Sequence, residues 1–484
     1  MATMSSSSRS RRVQSTLALI LAIFVAFAFI TRWIDLFIVT GSLLQKKLHL
    51  LNNTPQLHSS DFDCSLNCSD IPSFTTTTNL VFNSSAAPSC PDYFRWIHED
   101  LSPWKGAGIA REIVEAAKSV ANVRITIVDG RLYVVKYKKA FQTRDSITLW
   151  GLLQLLKLYP GRVPDLDLMF EFGDKTVIHK NEYGRNASLP PPVFHYCSDE
   201  SSYDIVFPDW SFWGWPEVNI KPWEELKEEL KEANERIKWI DREPYAYWKG
   251  NARLGPRKDL IKCNASNGQD WKARIYDTTW AEEKKQGFNN SDLASQCTHR
   301  YKIYVEGVSW SVSQKYIAAC DSMTLVIKPH YYDFFTRALL PSVHYWPIGE
   351  RDKCRAIKSA VEWGNAHSDK AREIGQAGSR FVQESLAMKN IYDYSFHVLN
   401  KYAKLLKYKP TVPEGAVEMC SETLVCATKG RRKRFMKHSA VRSPGDSPPC
   451  MLPPSYEPRG LLNLLERKRN LTNQVQLWEE QERR

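Results

Sequence analysis

One stretch, residues 300–329, limits what this chain can fold into more than any other. Residues 301–305 alternate along the chain with the period of a β-strand, and residues 323–327 form an apolar run typical of a buried strand. Gly307 ends the first strand, and the serines after it can cap and begin a helix. The stretch therefore predicts a β-loop-α-β unit. The three serines are Ser309, Ser311 and Ser313.

A short, serine-rich loop before a helix suits a phosphate group, because the first helical N–H groups are unpaired and carry a partial positive charge. An ordinary βαβ unit whose serines only cap the helix fits the same residues, since no GxGxxG or Walker pattern is present. The pattern alone favours the ordinary unit, so the rest of the chain has to decide between the two.

The net charge of +12 suggests a nucleic-acid-binding protein, but its distribution argues against one. Residues 1–60 carry six basic residues against one acidic residue, and residues 429–484 carry thirteen against six. The residues between these two segments have no net charge. A polyanion-binding domain would need a basic body, so no nucleic-acid partner is expected.

The N-terminus predicts entry into the secretory pathway. Three arginines precede residues 17–30, an apolar run that reaches the length of a spanning helix only with its flanks. Positive charge before such a run favours a cytosolic N-terminus and a lumenal body. We predict a cytosolic tail at 1–12, a signal-anchor transmembrane segment at 13–40 and a flexible lumenal stem at 41–88. The alternative is a signal peptide that is cleaved near residues 26–28.

Cysteines and glycosylation motifs agree with a lumenal body. Eleven cysteines in an oxidising compartment are expected to form disulfides and leave at least one free thiol, with a connectivity that the sequence leaves open. Cys64 and Cys68 have no matching His/Cys cluster, so they indicate disulfides rather than zinc. Seven Asn-x-Ser/Thr motifs fit a glycosylated protein. They begin at Asn52, Asn67, Asn83, Asn186, Asn264, Asn289 and Asn470.

The length of 484 residues exceeds a single hydrophobic core, so two domains with flanking segments are expected. The alternation of strand and helix patterns places one α/β domain over residues 89–207 and a second over 208–385, followed by a closing helix over 386–408. Residues 409–484 are rich in proline and basic side chains, and most of this tail is expected to be poorly ordered.

Asp174 is the candidate catalytic residue. It follows Gly173 after an apolar strand, and ligands of open α/β sheets bind at the carboxyl ends of strands. A carboxylate there is a candidate general base, although a turn aspartate is the commoner case. Residues 208–216 hold three Trp and one Phe, which either stack on sugar rings or fill a core. Arg257 can meet a phosphate in bidentate fashion, although an ordinary surface arginine would look the same in the sequence. Together these features suggest a nucleotide-sugar enzyme.

Several motifs occur in a fixed order along the chain. They are Pro164-Asp165-Leu166-Asp167 with Gly173-Asp174, residues 208–213, residues 247–251, residues 301–305 with Gly307, and residues 344–348. In this order they resemble the Rumi/CAP10-like proteins of glycosyltransferase family 90, which include a plant branch, over roughly residues 90–405. The resemblance implies an α/β fold of the GT-B type, with two Rossmann-like domains facing each other across a cleft. It also implies inverting, metal-independent transfer from UDP-glucose or UDP-xylose without a cofactor.

The resemblance further implies roles for individual residues. Asp174 is the base. As a separate hypothesis from the residues themselves, the helix N-terminus after Gly307, Arg257 and Lys315 would stabilise the leaving diphosphate. The donor-binding residues are Asn251, Arg257, Val308, Ser309, Trp310, Ser311, Val312 and Ser313. The acceptor-binding residues are Phe141, Gln142, Thr143, Arg144 and Trp215.

Two segments depart from the animal members of the family. Their donor loop ends in arginine where this chain has Ser313, and their acceptor loop reads Met/Phe-Pro-Ser-Arg-Cys where residues 141–145 read Phe-Gln-Thr-Arg-Asp. The second departure favours a lumenal protein or a cell-wall polysaccharide as the acceptor, rather than an EGF-like repeat.

Two other functions fit the sequence. One is a metal-dependent GT-A transferase in which Asp165 and Asp167 form a metal-binding DxD motif; the other is a non-catalytic lumenal sugar-binding or scaffold protein. The signal anchor, the stem and the lack of a KDEL-type terminus predict a single-pass type II protein of the Golgi (or ER) membrane.

Overall fold

The computed structural model describes residues 62–70, 88–183, 189–266, 268–288 and 291–481. The predicted cytosolic tail and signal anchor, and most of the predicted stem, lie outside these ranges. Among the helices of the described residues, none is both long enough and apolar enough to cross a membrane.

Thirteen strands occur among the described residues. In chain order they are β1 (Val123–Val128), β2 (Arg131–Lys136), β3 (Leu166–Phe170), β4 (Val193–His195), β5 (Ser198–Asp199), β6 (Ile205–Val206), β7 (Glu243–Gly250), β8 (Ala273–Asp277), β9 (His299–Tyr304), β10 (Met323–Ile327), β11 (Tyr331–Tyr332), β12 (Trp346–Ile348) and β13 (Val417–Met419). The first sheet has the order β13-β2-β1-β3-β4-β6, the second has the order β12-β10-β9-β7-β8, and β5 pairs with β11.

The second sheet contains the predicted β-loop-α-β unit. Strand β9 runs parallel to β10 on one side and to β7 on the other, and every residue of β10 is buried. A parallel sheet is covered on both faces, which explains why these strands are nearly continuous apolar runs in the sequence. The predicted unit and the α/β class are therefore confirmed.

The first sheet is mixed rather than fully parallel. β13, β2, β1 and β3 are antiparallel neighbours, and only β3, β4 and β6 run parallel. Val128 pairs with Arg131 across a two-residue turn, in which Asp129 (φ 49°) and Gly130 (φ 69°) both adopt left-handed backbone. Such a turn joins antiparallel strands only, and it confirms the hairpin that this segment predicts.

Twelve α-helices occur among the described residues. They are α1 (Trp96–Asp100), α2 (Arg111–Ala116), α3 (Arg144–Leu158), α4 (Trp223–Arg236), α5 (Trp280–Lys285), α6 (Ser313–Ala318), α7 (Lys353–Ala366), α8 (Ser368–Ser385), α9 (Met388–Ala403), α10 (Ser421–Cys426), α11 (Gly430–His438) and α12 (Pro458–Gln481). Helix α9 returns to the first sheet, where the Tyr402 hydroxyl donates to the carbonyl of Asp167 in β3 (3.0 Å). The α/β fold thus brings the C-terminal helices back onto the strands that carry the candidate site.

The C-terminal segment is folded, so the prediction that residues 409–484 are mostly poorly ordered is wrong for the described residues. Strand β13 pairs with β2 at the edge of the first sheet. In α11, Phe435 and Met436 are buried, and in α12 the ring of Trp478 stacks on that of Trp363 (centroids 5.5 Å apart). Proline and basic residues are frequent in this segment, but its few apolar side chains are spaced so that they pack against the core.

Disulfides fasten the two ends of the described chain to each other. The pairs that do this are Cys64–Cys426, Cys68–Cys420 and Cys90–Cys450. Two further pairs, Cys263–Cys354 and Cys297–Cys320, lie within the body. Cys197 is buried and free, which confirms the expectation that at least one thiol is unpaired.

Replacing both Cys90 and Cys450 with serine is expected to lower the free energy of unfolding by about 2–5 kcal/mol, because the disulfide constrains the unfolded chain. The link joins residues 360 positions apart, so its loss frees a large loop. Calorimetry under non-reducing conditions measures the change in Tm. An unchanged Tm would contradict the prediction and would show that packing alone holds the C-terminal segment in place.

Candidate active site

A cavity of about 480 Å³ lies between the carboxyl ends of the second-sheet strands, helix α3 and the turn after β3. The structure brings together around it all the predicted site residues except Thr143. The lining residues among them are Phe141, Gln142, Arg144, Asp174, Trp215, Asn251, Arg257, Val308, Ser309, Trp310, Ser311, Val312 and Ser313. Residues from distant parts of the chain thus share one concave site, as a ligand pocket requires.

Asp174 lies in the turn after β3, and Arg144 fixes its carboxylate. Arg144 Nη1 donates to Asp174 Oδ1 (2.9 Å) and to the carbonyl of Phe172 (3.0 Å). The guanidinium carbon lies 4.2 Å from the centroid of the Trp210 ring, which holds the side chain in place. None of the described residues donates a hydrogen bond to Asp174 Oδ2, so that oxygen can accept from a hydroxyl in the cavity. The sequence assigned Arg144 to the acceptor, and its contact with Asp174 was not foreseen.

The buried His195 and the partly buried Glu171 support this turn. Glu171 Oε2 accepts from the backbone N–H of Gly173 (2.5 Å) and lies 3.1 Å from His195 Nε2. His195 Nδ1 lies 2.9 Å from the carbonyl of Cys197 and 3.2 Å from the backbone N–H of the same residue. Burial opposes a charged imidazolium, but the contacts with Cys197 and Glu171 outweigh burial and raise the pKa of His195 well above its usual value. Cys197 Sγ in turn lies 3.6 Å from the carbonyl of Asp174.

Glu171→Gln is expected to destabilise the protein by about 3 kcal/mol, because the buried imidazolium of His195 loses its carboxylate partner. A raised pKa in the folded state gives stability that is complete below about pH 6.5 and is lost as the pH rises through that raised value. The difference in Tm between wild type and variant should therefore be largest at weakly acidic pH, where a carboxylate and an imidazolium coexist, and shrink at alkaline pH. A difference that is the same at weakly acidic and at alkaline pH would contradict this prediction.

Arg257 holds the loop of residues 308–313, called the 308–313 loop, against the end of β9. Its Nε donates to the carbonyl of Glu306 (3.1 Å), and its Nη2 donates to the carbonyl of Val305 (3.4 Å) and to Ser311 Oγ (3.0 Å). Burial lowers the pKa of this guanidinium. No hydrogen bond from Nη1 to a described residue is present, so this group is free for an anion in the cavity.

The 308–313 loop is fixed from within as well. The Tyr304 hydroxyl accepts from the backbone N–H of Ser311 (3.1 Å), and the hydroxyls of Ser311 and Ser313 lie 2.8 Å apart. Gly255 (φ 50°) approaches the loop so closely that an added Cβ would lie 2.1 Å from the carbonyl oxygen of Gly307. Only glycine fits at this position, because its backbone is left-handed and the space is already filled.

Lys315 does not serve the cavity, so its assignment to the diphosphate is wrong. Its Nζ donates to Ser211 Oγ (2.6 Å), to the carbonyl of Val312 (3.2 Å) and to Asp209 Oδ2 (3.3 Å), and the residue is 2% exposed. Lys315 lies only two residues after the loop in the sequence, which did not reveal that Asp209 supplies a buried carboxylate for it.

The predicted acceptor residues lie at one side of the cavity. Phe141 is 61% exposed, and Gln142 adopts φ 56° and accepts a hydrogen bond from Trp215 Nε1 (2.7 Å). Thr143, the one predicted residue outside the lining, bonds Glu217 through its hydroxyl (3.0 Å) at the start of α3. This contact ties the 141–144 segment to the turn after Trp215.

Sequence reasoning missed several aromatic lining residues and two lysines. Tyr247 and Trp248 stood in a quoted motif but received no role, and Trp280 begins α5 behind a capping box formed by Thr279 and Glu282. A Ser/Thr-x-x-Glu pattern of this kind was visible in the sequence and would have placed Trp280 at a helix start. The missed lysines are Lys249 and Lys302.

The DxD pair does not face the cavity. Arg124 bonds both carboxylate oxygens of Asp167 (2.7 and 2.6 Å), and Asp165 accepts from the backbone N–H of Asp129 (2.9 Å). Neither aspartate lines the cavity, so a metal ion held by this pair would not lie in the site. Another group with metal-ligand spacing in the described part of the chain is Cys90, His397 and Cys450, whose two sulfurs are joined in a disulfide.

Comparison with known proteins matches this chain to one family. Glycosyl transferase family 90 matches residues 83–479. The O-glucosyltransferase rumi homolog of Aedes aegypti is 28% identical over 347 residues, which cover 68% of this chain and 82% of the relative. Protein O-glucosyltransferase 1 of Homo sapiens is 26% identical over 355 residues (69% and 85% covered), and O-glucosyltransferase rumi of Drosophila melanogaster is 25% identical over 343 (66% and 78%). The family match includes both sheets and the C-terminal helices, and the chain therefore belongs to glycosyl transferase family 90 and is a glycosyltransferase.

Proposed function

We propose that the protein is an inverting O-glycosyltransferase of the GT-B type that transfers a sugar from a UDP-sugar to a hydroxyl group. The observation that carries this proposal is the shared cavity, which is lined by Asp174 together with Arg257 and the 308–313 loop. A base for the acceptor and a cationic site for a diphosphate are the two groups that this reaction needs.

In the proposed reaction, Asp174 accepts the proton of the acceptor hydroxyl while the hydroxyl oxygen attacks the anomeric carbon. The bond between that carbon and the diphosphate breaks, its electron pair leaves with UDP, and the configuration inverts. Arg144 fixes the Asp174 carboxylate through Oδ1 and leaves Oδ2 free for the hydroxyl. The free Nη1 of Arg257 stabilises the negative charge that develops on the leaving phosphate, so we propose that no metal ion is required.

The relatives and the site support a choice of donor and acceptor. Relatives named as O-glucosyltransferases favour UDP-glucose as the donor, with UDP-xylose second. The name protein O-glucosyltransferase favours a protein acceptor, and the exposed aromatic ring of Phe141 beside the site also suits a cell-wall glycan. The apolar N-terminal run supports a type II membrane protein with its catalytic body in the Golgi or ER lumen.

Release of UDP from a panel of UDP-sugars, with and without acceptor peptides and glycans, tests the proposal. UDP-glucose or UDP-xylose should be turned over in the presence of EDTA, and an added acceptor should increase the rate. Binding of sugars without any turnover would instead support the non-catalytic alternative. Activity that EDTA abolishes and Mn²⁺ restores would contradict the metal-independent mechanism.

A further inference from the structure

Lys302 presents an unusual buried charge at the cavity. It lies in β9, lines the cavity and is 4% exposed. Its Nζ lies 3.4 Å from Cys320 Sγ, a disulfide sulfur and a poor acceptor, and 5.7 Å from the centroid of the Tyr247 ring. No salt bridge joins Lys302 to a carboxylate of the described residues. Burial and the nearby Arg242 lower the pKa of Lys302 to about 7.

Of the four other buried Lys and Arg side chains among the described residues, three have carboxylate partners, and the fourth, Arg242, donates to oxygen atoms of Asn234 and Ser322. Lys315 bonds Asp209, and Arg124 bonds Asp167 through both oxygens. A buried ammonium without such a partner is destabilising, because it loses its hydration and gains little in return. Residues that break this rule are expected at functional sites, where a ligand supplies the missing partner. The position of Lys302 at the cavity is consistent with such a role.

The place of Lys302 along β9 indicates which part of a ligand it meets. Val305, whose carbonyl holds Arg257, follows three residues later and therefore lies about 10 Å further along the strand. The carboxylate of Asp174 lies close enough to Arg257 to stabilise its positive charge. The charged and titratable groups near Lys302 are different ones, namely Arg242, His299 and Tyr247. If the diphosphate lies at Arg257 and the sugar lies toward Asp174, the nucleoside extends toward Lys302.

We propose that Lys302 donates a hydrogen bond to a carbonyl oxygen of the pyrimidine base of the nucleotide donor. This inference rests on the proposed function, because it takes the cavity to be the UDP-sugar site. No carboxylate of the described residues compensates the charge of this ammonium, and the base carbonyl supplies the missing oxygen acceptor. Lys302 thus sets affinity for the nucleoside part of the donor, while Arg257 serves the diphosphate.

Calorimetric binding of UDP and of pyrophosphate to the full-length protein and to Lys302→Met tests the proposal. Methionine keeps the length and the apolar stem of the side chain but removes the charge. We expect UDP to bind Lys302→Met about 10- to 100-fold more weakly, as for loss of a hydrogen bond to a charged group. Pyrophosphate, which lacks the base, should bind both proteins equally.

Stability separates a binding role from a structural one. Because the lysine is unpaired, its replacement by methionine should leave Tm unchanged or raise it. Lys315→Met is the matched comparison, since it leaves the Asp209 carboxylate buried without its cation and should lower Tm. A lower Tm for Lys302→Met with an unchanged Kd for UDP would overturn the proposal. Equal weakening of UDP and pyrophosphate would also overturn it, because it would place Lys302 at the diphosphate.

The pH dependence gives a second readout. Binding requires the ammonium form, so UDP affinity of the wild type should fall above about pH 7, where the free protein must take up a proton to bind. His299 beside it has a pKa lowered to about 4 by burial and by Lys302, so it does not titrate in this range. The phosphates of UDP titrate in the same way with both proteins. The additional loss of UDP affinity that the wild type shows relative to Lys302→Met as the pH rises is therefore due to the lysine. Parallel pH profiles would overturn the proposal; failure of the wild type to bind UDP at any pH would instead contradict the proposed function.

Discussion

Asp174→Asn is expected to reduce kcat by about 10²–10⁴-fold, the usual contribution of a general base. The amide is nearly the same size as the carboxylate, and its oxygen can still accept the hydrogen bond from Arg144 Nη1. It cannot take the proton of the acceptor hydroxyl, so the chemical step slows while the cavity keeps its shape. UDP should bind the variant as it binds the wild type, because Arg257 and the 308–313 loop are unchanged.

Asp165→Asn is the matched control for this variant. Asp165 precedes β3, accepts from the backbone N–H of Asp129 and does not line the cavity. Its replacement should leave kcat unchanged, whereas a metal-binding DxD motif would predict a large loss. Turnover in Asp174→Asn at the wild-type rate would remove Asp174 from the mechanism. A loss of UDP binding in the same variant would place Asp174 at the donor instead.

The sequence was most informative where local pattern and tertiary structure agree. The apolar runs of β9 and β10 with Gly307 between them predicted a parallel unit, because such runs separated by a glycine turn are typical of the buried strands of parallel sheets. Asp174 could be chosen because strand ends in α/β sheets gather at ligand sites. The residues of the 308–313 loop followed from the family motifs, and they lie together in the cavity.

The remaining features depend on contacts between residues far apart in the sequence. The pairing of Cys90 with Cys450 and the addition of β13 to the first sheet involve partners separated by hundreds of residues, and no local pattern specifies them. For the same reason the proline-rich, basic composition of residues 409–484 wrongly suggested disorder. The contacts of Arg144 with Asp174 and of Lys315 with Asp209 were hidden because composition shows charges but not their partners.

Arg257→Lys is expected to reduce kcat/KM by about 10²–10³-fold, although the positive charge is kept. The guanidinium donates from two nitrogens to the carbonyls of Glu306 and Val305 and to Ser311 Oγ, and it still has Nη1 for a phosphate. A lysine has one nitrogen on a flexible stem and cannot reach these acceptors and the phosphate together. The 308–313 loop should therefore loosen, and both UDP affinity and the rate should fall.

Arg253→Lys provides the matched control on the same segment of chain. Its side chain is 66% exposed, lies 3.5 Å from Asp277 and is outside the cavity lining, so the exchange should leave kcat/KM unchanged. Measuring kcat/KM together with the Kd of UDP and Tm shows where an effect arises. If Arg257→Lys retained wild-type kcat/KM and UDP affinity, charge alone would suffice at this position. The fork of hydrogen bonds to Glu306, Val305 and Ser311 would then have no part in donor binding.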